Sequence, residues 1–286
     1  MAAGPVIGAA ISAYIQDIFE DAMFVARETS VMPALVTGFA DTTDELKPRK
    51  SSQHAQATIS NIGETDDLSS QTFTPAVLAT LTPAEAGGQF FLTDTRMSAD
   101  PFGVRADAAL ELGQQMGKKI NTDLLGDLAS LTGGTVGAAG TVISWGHFFA
   151  ALSQLEVVSG KYGMYACVLH TYEWHVLAKS AATAATITAT PNFQDEILRR
   201  WYVGTVGPVD IFSTGDLTID GSGDVTSGMF ARPAMAFDGR RAPRLEPERD
   251  ASRRGWELNE TAVYAHGVWR PLFGIKLIFD AATPTS

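Results

Sequence analysis

The sequence predicts an α+β fold built around one very long helix. Apolar residues recur in steps of three and four from Asp100 to Leu131, which is the period of an α-helix. Short alternating segments before this stretch predict strands, and the apolar run Tyr165–Leu169, followed by a helical pattern, predicts a strand-to-helix unit. With 286 residues, 45% of them hydrophobic, the chain can bury a sizeable core.

The N-terminal stretch is predicted to form an amphipathic arm. No charged residue stands between Met1 and Asp17, and the first basic residue is Arg27, so the basic region of a secretory signal is missing. The apolar run is also too short to span a bilayer. One helical face carries aliphatic residues that need a docking surface, namely Ile11, Ile15, Ile18, Ala22 and Val25.

The second predicted element is a projecting β-hairpin, which follows a charged, turn-rich stretch from Asp41 to Lys50. Alternation over Ala57–Ile62 and Phe73–Leu81 predicts its two strands, and Pro75 restricts the second strand to an edge position. Large apolar residues are sparse around the first strand, so we expect the hairpin to project from the core.

The long helix comes next and has signals at both ends. Asp100 can cap its N-terminus, Pro101 suits the first helical position, and Gly133 follows the last apolar residue. Such a helix would be roughly 45 Å long. Gly113 and Gly117 lie within the stripe, which predicts close packing there. The full stripe is Ala106, Leu110, Gly113, Gly117, Ile120, Leu124, Leu128 and Leu131.

The remainder of the chain is predicted to be a mixed α/β region. The glycine-rich stretch 133–140 is predicted to be a connector at a domain boundary, and Trp145–Val158 a second helix. The later segments are predicted strands at Trp201–Phe212, Leu217–Ile219, Met229–Phe237 and Val263–Phe279, a turn at Asp220–Gly223, and a charge-dense loop at Arg240–Arg254.

Charge and cysteine content exclude several classes of protein. The formal charge is −11, which argues against a dedicated nucleic-acid binder because phosphate contacts need a basic face. Residues 1–100 carry 5 Lys/Arg and 13 Asp/Glu, so −8 of the net charge of −11 lies in the N-terminal third. Cys167 is the only cysteine, which excludes an intrachain disulfide and a cysteine-based zinc site.

No chemical motif in the sequence predicts an active site. The segment from His170 to His175, with Glu173 between, approaches a zinc-hydrolase pattern, but the second histidine is one position too late. If both histidines lay on one helix they would be about 140° apart and could not share a metal. Ser159–Lys161 lacks phosphate-loop spacing. We therefore predict no catalytic, cofactor-binding or metal-binding residues, no cofactor and no enzymatic activity. The arginine-dense loop is predicted to form salt-bridged contacts with its acidic neighbours.

The order of these elements resembles the major capsid proteins of tailed bacteriophages, which have the Hong Kong ninety-seven type of fold. The resemblance covers nearly the whole chain and is carried by strings at residues 21–28 (DAMFVARE), 63–67 (GETDD), 89–94 (QFFLTD) and 253–259 (RRGWELN). It implies an N-terminal arm at residues 1–40, an extended loop at 41–98, a peripheral domain at 99–140 and 256–286, and an axial domain at 141–255.

The resemblance also implies a function and partners. The chain would assemble with itself into hexamers and pentamers of an icosahedral shell around a double-stranded DNA genome, because heterologous contacts between identical subunits can close into rings. Its acidity implies only weak, non-specific contact with the packaged DNA. Scaffolding, portal and decoration proteins are further implied partners. The expected location is the virion, after assembly in the host bacterial cytoplasm, with no membrane association.

Two alternatives remain open at the level of sequence. An encapsulin-like compartment would share the fold but enclose cargo enzymes, and portal and terminase genes beside this one would argue against it. A soluble hydrolase would use His170 and Glu173, and a metal assay would identify it.

Overall fold

The computed structural model describes most of the chain between Met32 and Thr283. The described residues are 32–39, 45–54, 58–59, 61–64, 70, 72, 75–99, 103–159, 164–183 and 204–283. The predicted amphipathic face between Ile11 and Val25 lies outside them. No helix in this described part has the length and apolarity needed to cross a membrane.

Five α-helices and twelve strands form the described fold. The helices are α1 Met32–Leu35, α2 Asp94–Ala99, α3 Val104–Gly126, α4 Trp145–Ser159 and α5 Thr171–Thr183. The strands are β1 Thr37–Phe39, β2 Arg49–His54, β3 Pro75–Leu81, β4 Ala84–Thr93, β5 Thr135–Gly137, β6 Tyr165–His170, β7 Thr205–Val206, β8 Val209–Thr214, β9 Asp224–Ala231, β10 Met235–Asp250, β11 Gly255–Val268 and β12 Gly274–Asp280.

The predicted long helix is present as α3 but is shorter than expected. It has 23 residues, or about 35 Å, and it passes at its C-terminal end into a 3-10 helix, Asp127–Ser130. Gly103 precedes the first helical turn with a left-handed φ of 97°, a conformation that glycine adopts without steric cost. The predicted cap Asp100 and the following Pro101 lie outside the described residues.

The apolar stripe of α3 is confirmed only in its C-terminal half. Leu124 is fully buried, but Leu110 is 65% exposed, and Leu112 and Met116 are the buried residues in its place. The N-terminal half of the helix rests on the sheet strands β4 and β11, so its contact face is rotated from the one that the spacing predicted. Among the described residues nothing packs closely on the stripe glycines, because a Cβ on Gly117 would meet none of them within 4 Å and one on Gly113 would meet only Glu260 Oε1, at 4.0 Å.

The projecting hairpin is confirmed, with a correction to its first strand. That strand is β2, and it pairs antiparallel with β3. The predicted strand at 57–62 is wrong where the structure describes it, since Ile59 is in coil and 94% exposed. Polar β2 lacks the alternation that marks a half-buried strand, so its pattern gave no signal. Pro75 stands at the first position of β3, where it disturbs the ladder least.

A four-stranded sheet in the order β1-β10-β11-β4 contains the longest strands of the fold. The predicted loop at Arg240–Arg254 is wrong, because its residues extend β10 to Asp250 and then turn into β11. Strand β4 was not predicted, since Gly87 and Gly88 interrupt its pattern. Gly87 permits a close approach to β11, where a Cβ would lie 2.7 Å from the carbonyl oxygen of Glu260.

A six-stranded mixed sheet in the order β5-β12-β9-β6-β8-β7 forms the second layer. Helices α4 and α5 cover one face, with Phe148 and Leu177 in the core. The C-terminal end of α3, the following 3-10 helix and α1 cover the other face. The strand-to-helix unit β6-α5 and the second helix α4 are confirmed.

Several predicted boundaries in this sheet are wrong. The connector 133–140 contains β5, which pairs with β12. The predicted strand Val263–Phe279 is divided between β11 and β12. Met229–Phe237 is interrupted by a 3-10 helix, and Leu217–Ile219 forms only one isolated bridge. Local patterns do not reveal these divisions, because strand ends depend on pairing partners far along the chain.

Candidate assembly surfaces

The hairpin β2-β3 exposes apolar side chains outside the core. Val77 and Leu78 on β3 are both exposed, and so are Ile59 and Ile62 in the described coil between the two strands. A two-stranded sheet without a covered face is at best marginally stable alone in water. Val77 and Leu78 are consecutive, so they lie on opposite faces of β3, and Leu78 borders a small cavity beside Leu272. The four exposed side chains leave apolar area that a partner can bury, and we call Val77, Leu78, Ile59 and Ile62 together the hairpin patch.

A buried apolar contact attaches the base of this hairpin to the four-stranded sheet. Leu81, the last residue of β3, is fully buried against Ala236 and Ala265. Phe39 and Trp269 pack beside them with their ring centroids 5.2 Å apart in an edge-to-face arrangement.

Buried ion pairs strengthen the same attachment. Asp238 on β10 is fully buried and accepts hydrogen bonds from Arg49 Nε at 2.8 Å and from Arg240 Nε at 3.0 Å. Arg240 also donates to the carbonyl oxygen of Lys47, and the Arg49 guanidinium lies 4.6 Å from the centre of the Phe39 ring. Charge-assisted bonds between fixed, buried partners are strong and directional. The direction in which the hairpin leaves the sheet is therefore defined by the subunit itself.

Helix α4 provides a second exposed apolar surface. Its inner face buries Phe148, Ala151 and Leu155, whereas Phe149 is 53% exposed and Val157 84% exposed on its outer face. The helix is apolar on both sides, which is unusual for a surface helix of a subunit that remains monomeric.

A groove of about 740 Å³ lies between helix α3 and strands β4 and β11. Leu112 and Met116 form its apolar wall, and Glu260 projects into it from β11. Burial raises the pKa of the Glu260 carboxyl.

The arginine-rich segment forms ion pairs within the subunit, but most of their acidic partners lie elsewhere in the chain; of the predicted neighbours, Glu246 pairs with Arg244. Arg241 bonds Glu85 and Glu45, and Arg249 bonds Asp94 at 2.7 Å. These contacts join β10 to β4 and to the start of the extended loop. These pairs are largely exposed, so each adds at most about 1 kcal/mol to the free energy of unfolding. Their main effect is to neutralise the arginine charges on this surface.

The structure places the suspected hydrolase residues in a packed junction. His170 ends β6, and Glu173 in the first turn of α5 accepts hydrogen bonds from the His170 backbone N–H at 2.8 Å and from the Ser227 hydroxyl. His170 is buried, and its Nδ1 accepts from the Tyr172 backbone N–H at 3.1 Å. Across the described ranges, no group of three or more His, Cys, Asp or Glu side chains could hold a metal ion.

Glu173 is the most perturbed carboxyl at this junction. Burial raises its pKa to about 7, although the bonds from Ser227 and His170 act in the opposite direction. Its Oε1 atom is buried and has no hydrogen-bond partner among the residues that the structure describes. The carboxyl faces the strand β9 rather than an open cleft, so its position fits a role in packing.

Comparison with known proteins agrees with this architecture. A model of the phage capsid protein family matches residues 78–277. A solved chain from Mycobacterium phage Che8 is 14% identical, with a TM-score of 0.71 over 89% of this chain and 94% of that chain. The capsid of a native GTA particle gives 12% identity and a TM-score of 0.71 over 90% and 92% of the two chains. The head structure of Helicobacter pylori bacteriophage KHP40 gives 9% identity and a TM-score of 0.68 over 90% and 93%. No curated protein matches the chain.

The fold is that of a phage capsid shell subunit, of the Hong Kong ninety-seven type. The chain belongs to the phage capsid protein family. It is a major capsid protein, a structural component of the virion that associates with itself into shells.

Sequence reasoning missed the residues that orient the hairpin. Asp238 and Arg240 stand two positions apart, so their side chains share one face of a strand, but the segment was interpreted as a loop. The burial of Glu173 was also missed, and its position three residues after His170 is the spacing of a carboxylate that accepts from a backbone N–H at a helix start.

Proposed function

We propose that copies of this chain form the closed icosahedral shell, built of hexamers and pentamers, around the double-stranded DNA genome of a tailed phage. The observation that carries this proposal is the hairpin patch, an exposed apolar surface held in a fixed direction by the buried pairs of Asp238. An apolar projection whose base is anchored on one copy and receptive surfaces elsewhere on the next copy give a heterologous contact, which can close into rings.

We assign a role in the shell to each of the predicted ranges of the subunit. Residues 1–40 act as an arm, 41–98 as the extended loop, 99–140 with 256–286 as the peripheral domain, and 141–255 as the axial domain. One fact qualifies these limits: β12 of the peripheral range pairs with β9 of the axial range, so one sheet spans both. The subunit is expected to have no enzymatic activity, and Glu173 and His170 to serve packing alone.

Further partners follow from the proposed role. A formal charge of −11 fits weak, non-specific contact with packaged DNA, because a shell that bound the genome tightly would hinder its entry. Scaffolding, portal and decoration proteins are proposed as additional partners, and assembly is proposed to take place in the host bacterial cytoplasm.

The test compares two substitutions on β3. Val77→Asp places a charge in the hairpin patch, whereas Thr80→Asp places one at another exposed position of the same strand. Neither side chain is in the subunit core, so both variants should fold. We expect hollow shells by negative-stain microscopy and sedimentation for the parent and for Thr80→Asp, and unassembled subunits for Val77→Asp. A parent protein that stays monomeric even with its neighbouring gene products, or shells that form equally well with Val77→Asp, would contradict the proposal.

A further inference from the structure

Two carboxylates lie one turn apart where helix α3 ends. Asp123 is in its last turn, and Asp127 is the residue that follows the helix and begins the 3-10 helix. Like charges four residues apart destabilise a helix, and a helix C-terminus disfavours negative charge because its unpaired carbonyl groups already carry partial negative charge. This helix end therefore needs compensating groups from elsewhere.

Strand β11 supplies two of these groups. The Tyr264 hydroxyl donates to Asp123 Oδ2 at 2.7 Å, and His266 Nδ1 lies 2.7 Å from Asp127 Oδ2. The other ring nitrogen, His266 Nε2, lies 3.9 Å from Asp123 Oδ2. From the helix itself, Lys119 pairs with Asp123 Oδ1. The imidazole ring of His266 thus spans both carboxylates.

The charge of that ring determines how well it can serve both carboxylates. A neutral imidazole has one N–H, so it can donate to Asp127 while its second nitrogen presents a lone pair toward Asp123. An imidazolium has two N–H groups and a positive charge between two negative ones. The hydrogen bond to Asp127 is the largest cause of a raised pKa for His266, which the charges of Asp127 and Asp123 also raise and which burial and Lys119 lower.

The other elements around the ring add little charge. On β10 the residue paired with His266 is Phe237, which is uncharged. In the adjoining groove the titratable neighbours are Glu85 on β4, which is bonded to Arg241, and Glu260 on β11, whose carboxyl pKa is raised by burial.

We propose that Asp123, Asp127 and His266 form a proton-dependent tie that holds the C-terminal end of helix α3 against strand β11. Protonation of His266 strengthens the tie, and its loss leaves the two aspartates, among the residues that the structure describes, with Lys119 and Tyr264 for compensation. Because the folded pKa lies above the ordinary value of 6.5, the tie is at full strength below about pH 6.5 and weakens as the pH rises through the folded pKa. The end of α3 is therefore held most firmly against β11 in mildly acidic solution.

Amide hydrogen exchange of unassembled full-length subunits, followed by mass spectrometry, tests the tie locally. Peptides covering residues 119–130 are compared at pH 5.5 and pH 8.5 after correction for intrinsic exchange rates. Glu173→Gln is the background for every measurement, because Glu173 also titrates near neutrality. We expect slower corrected exchange at pH 5.5, by about tenfold for each unit by which the pKa of His266 is raised.

Three variants separate the tie from other effects. His266→Gln should exchange at the faster rate at both pH values. Asp127→Asn keeps the histidine but removes the charge of its main partner, so it should also lose the pH difference in exchange. It replaces His266→Gln as the test if that variant does not fold. His175→Gln on α5 is the matched control and should keep the pH difference. A parent whose corrected exchange is equal at both pH values, or a pH difference that survives in His266→Gln, would overturn the proposal. Failure to form shells would not affect this measurement, which uses free subunits.

Discussion

At the scale of single residues, two of the buried carboxyl groups, Asp238 and Glu173, differ in how their charge is compensated. Asp238 lies between two guanidinium groups, so its charge is balanced where it is buried. Among the described residues Glu173 has neutral donors alone, the His170 N–H and the Ser227 hydroxyl. Burying a carboxylate without a cationic partner costs free energy, so the pKa of Glu173 is raised and the group stays protonated to higher pH.

Glu173 should therefore make subunit stability depend on pH. Its pKa rises from an ordinary 4.5 to about 7 on folding, so the folded state binds a proton that the unfolded state has released between these values. The free energy of unfolding should consequently fall as the pH rises from 4.5 through 7, by on the order of 3 kcal/mol.

Glu173→Gln should remove the contribution of Glu173 to this dependence and leave the smaller one of His266, because an amide can accept the same hydrogen bonds without acquiring a charge. Denaturant unfolding of free subunits at pH 5 and pH 8 measures it. The variant should be the more stable protein at pH 8, and Glu248→Gln, at an exposed position on β10, is the control. A variant that is less stable than the parent at pH 8 would show that the carboxylate form is the one the fold prefers.

At the scale of elements, residues of helix α3 that the apolar stripe predicted to be buried together differ in their burial. Leu124 and Leu110 both belong to the predicted stripe, but Leu124 is fully buried and Leu110 is exposed. Leu124→Asp should place a carboxylate in the core at a cost of several kcal/mol, which is comparable with the whole stability margin of a domain. Leu110→Asp should change stability by no more than about 0.5 kcal/mol.

Thermal unfolding and the yield of soluble subunits distinguish the two variants. We expect Leu124→Asp to be insoluble or unfolded and Leu110→Asp to fold as the parent does. His170→Ala offers a second comparison: it should lower stability by about 1–3 kcal/mol through the loss of a buried hydrogen-bonding group, while shells still form. A measurable hydrolytic activity of the parent that disappears in folded His170→Ala would reverse the structural assignment of this residue.

The elements also show how far sequence reasoning reaches. Helices α4 and α5 and the buried strand β6 were predictable, because each has a local apolar period that matches its geometry. Strands β2, β4 and the outer part of β10 were not, because they are polar or glycine-interrupted and are specified by partners far along the chain. The same limit applies to the assembly surfaces. The role of Asp238 in orienting the hairpin could not be predicted, because it depends on the approach of Arg49 on β2 to β10.

At the scale of the whole molecule, the subunit combines two well-packed sheets with one hairpin that has little support of its own. The described coil at Ile59 and 61–63 is exposed between the strands of that hairpin. In free subunits, thermolysin, which cuts beside aliphatic residues, should therefore cleave first between His54 and Pro75. In assembled shells a neighbouring copy should cover the hairpin patch and slow this cleavage at least tenfold, corresponding to about 1.4 kcal/mol of added protection.

Mass spectrometry of the fragments checks the site and the rate. Cleavage within β4 should be slow in both states, because its ten residues are paired with β11. Equal rates of cleavage at Ile59 before and after assembly would mean that the hairpin stays open to solvent in the shell.

The unequal lengths of the ladders have a mechanical consequence for a container under internal load. Strand β11 is held by ten register pairs with β4 and by thirteen with β10, so a pull along it is shared among many parallel bonds at once. The hairpin β2-β3 has six pairs, and its buried anchor, Leu81, lies at its base. A force applied at its tip loads those pairs one after another, as in opening a zipper. Tension between neighbours should therefore be relieved by yielding at the hairpin, while the long sheet keeps its dimensions.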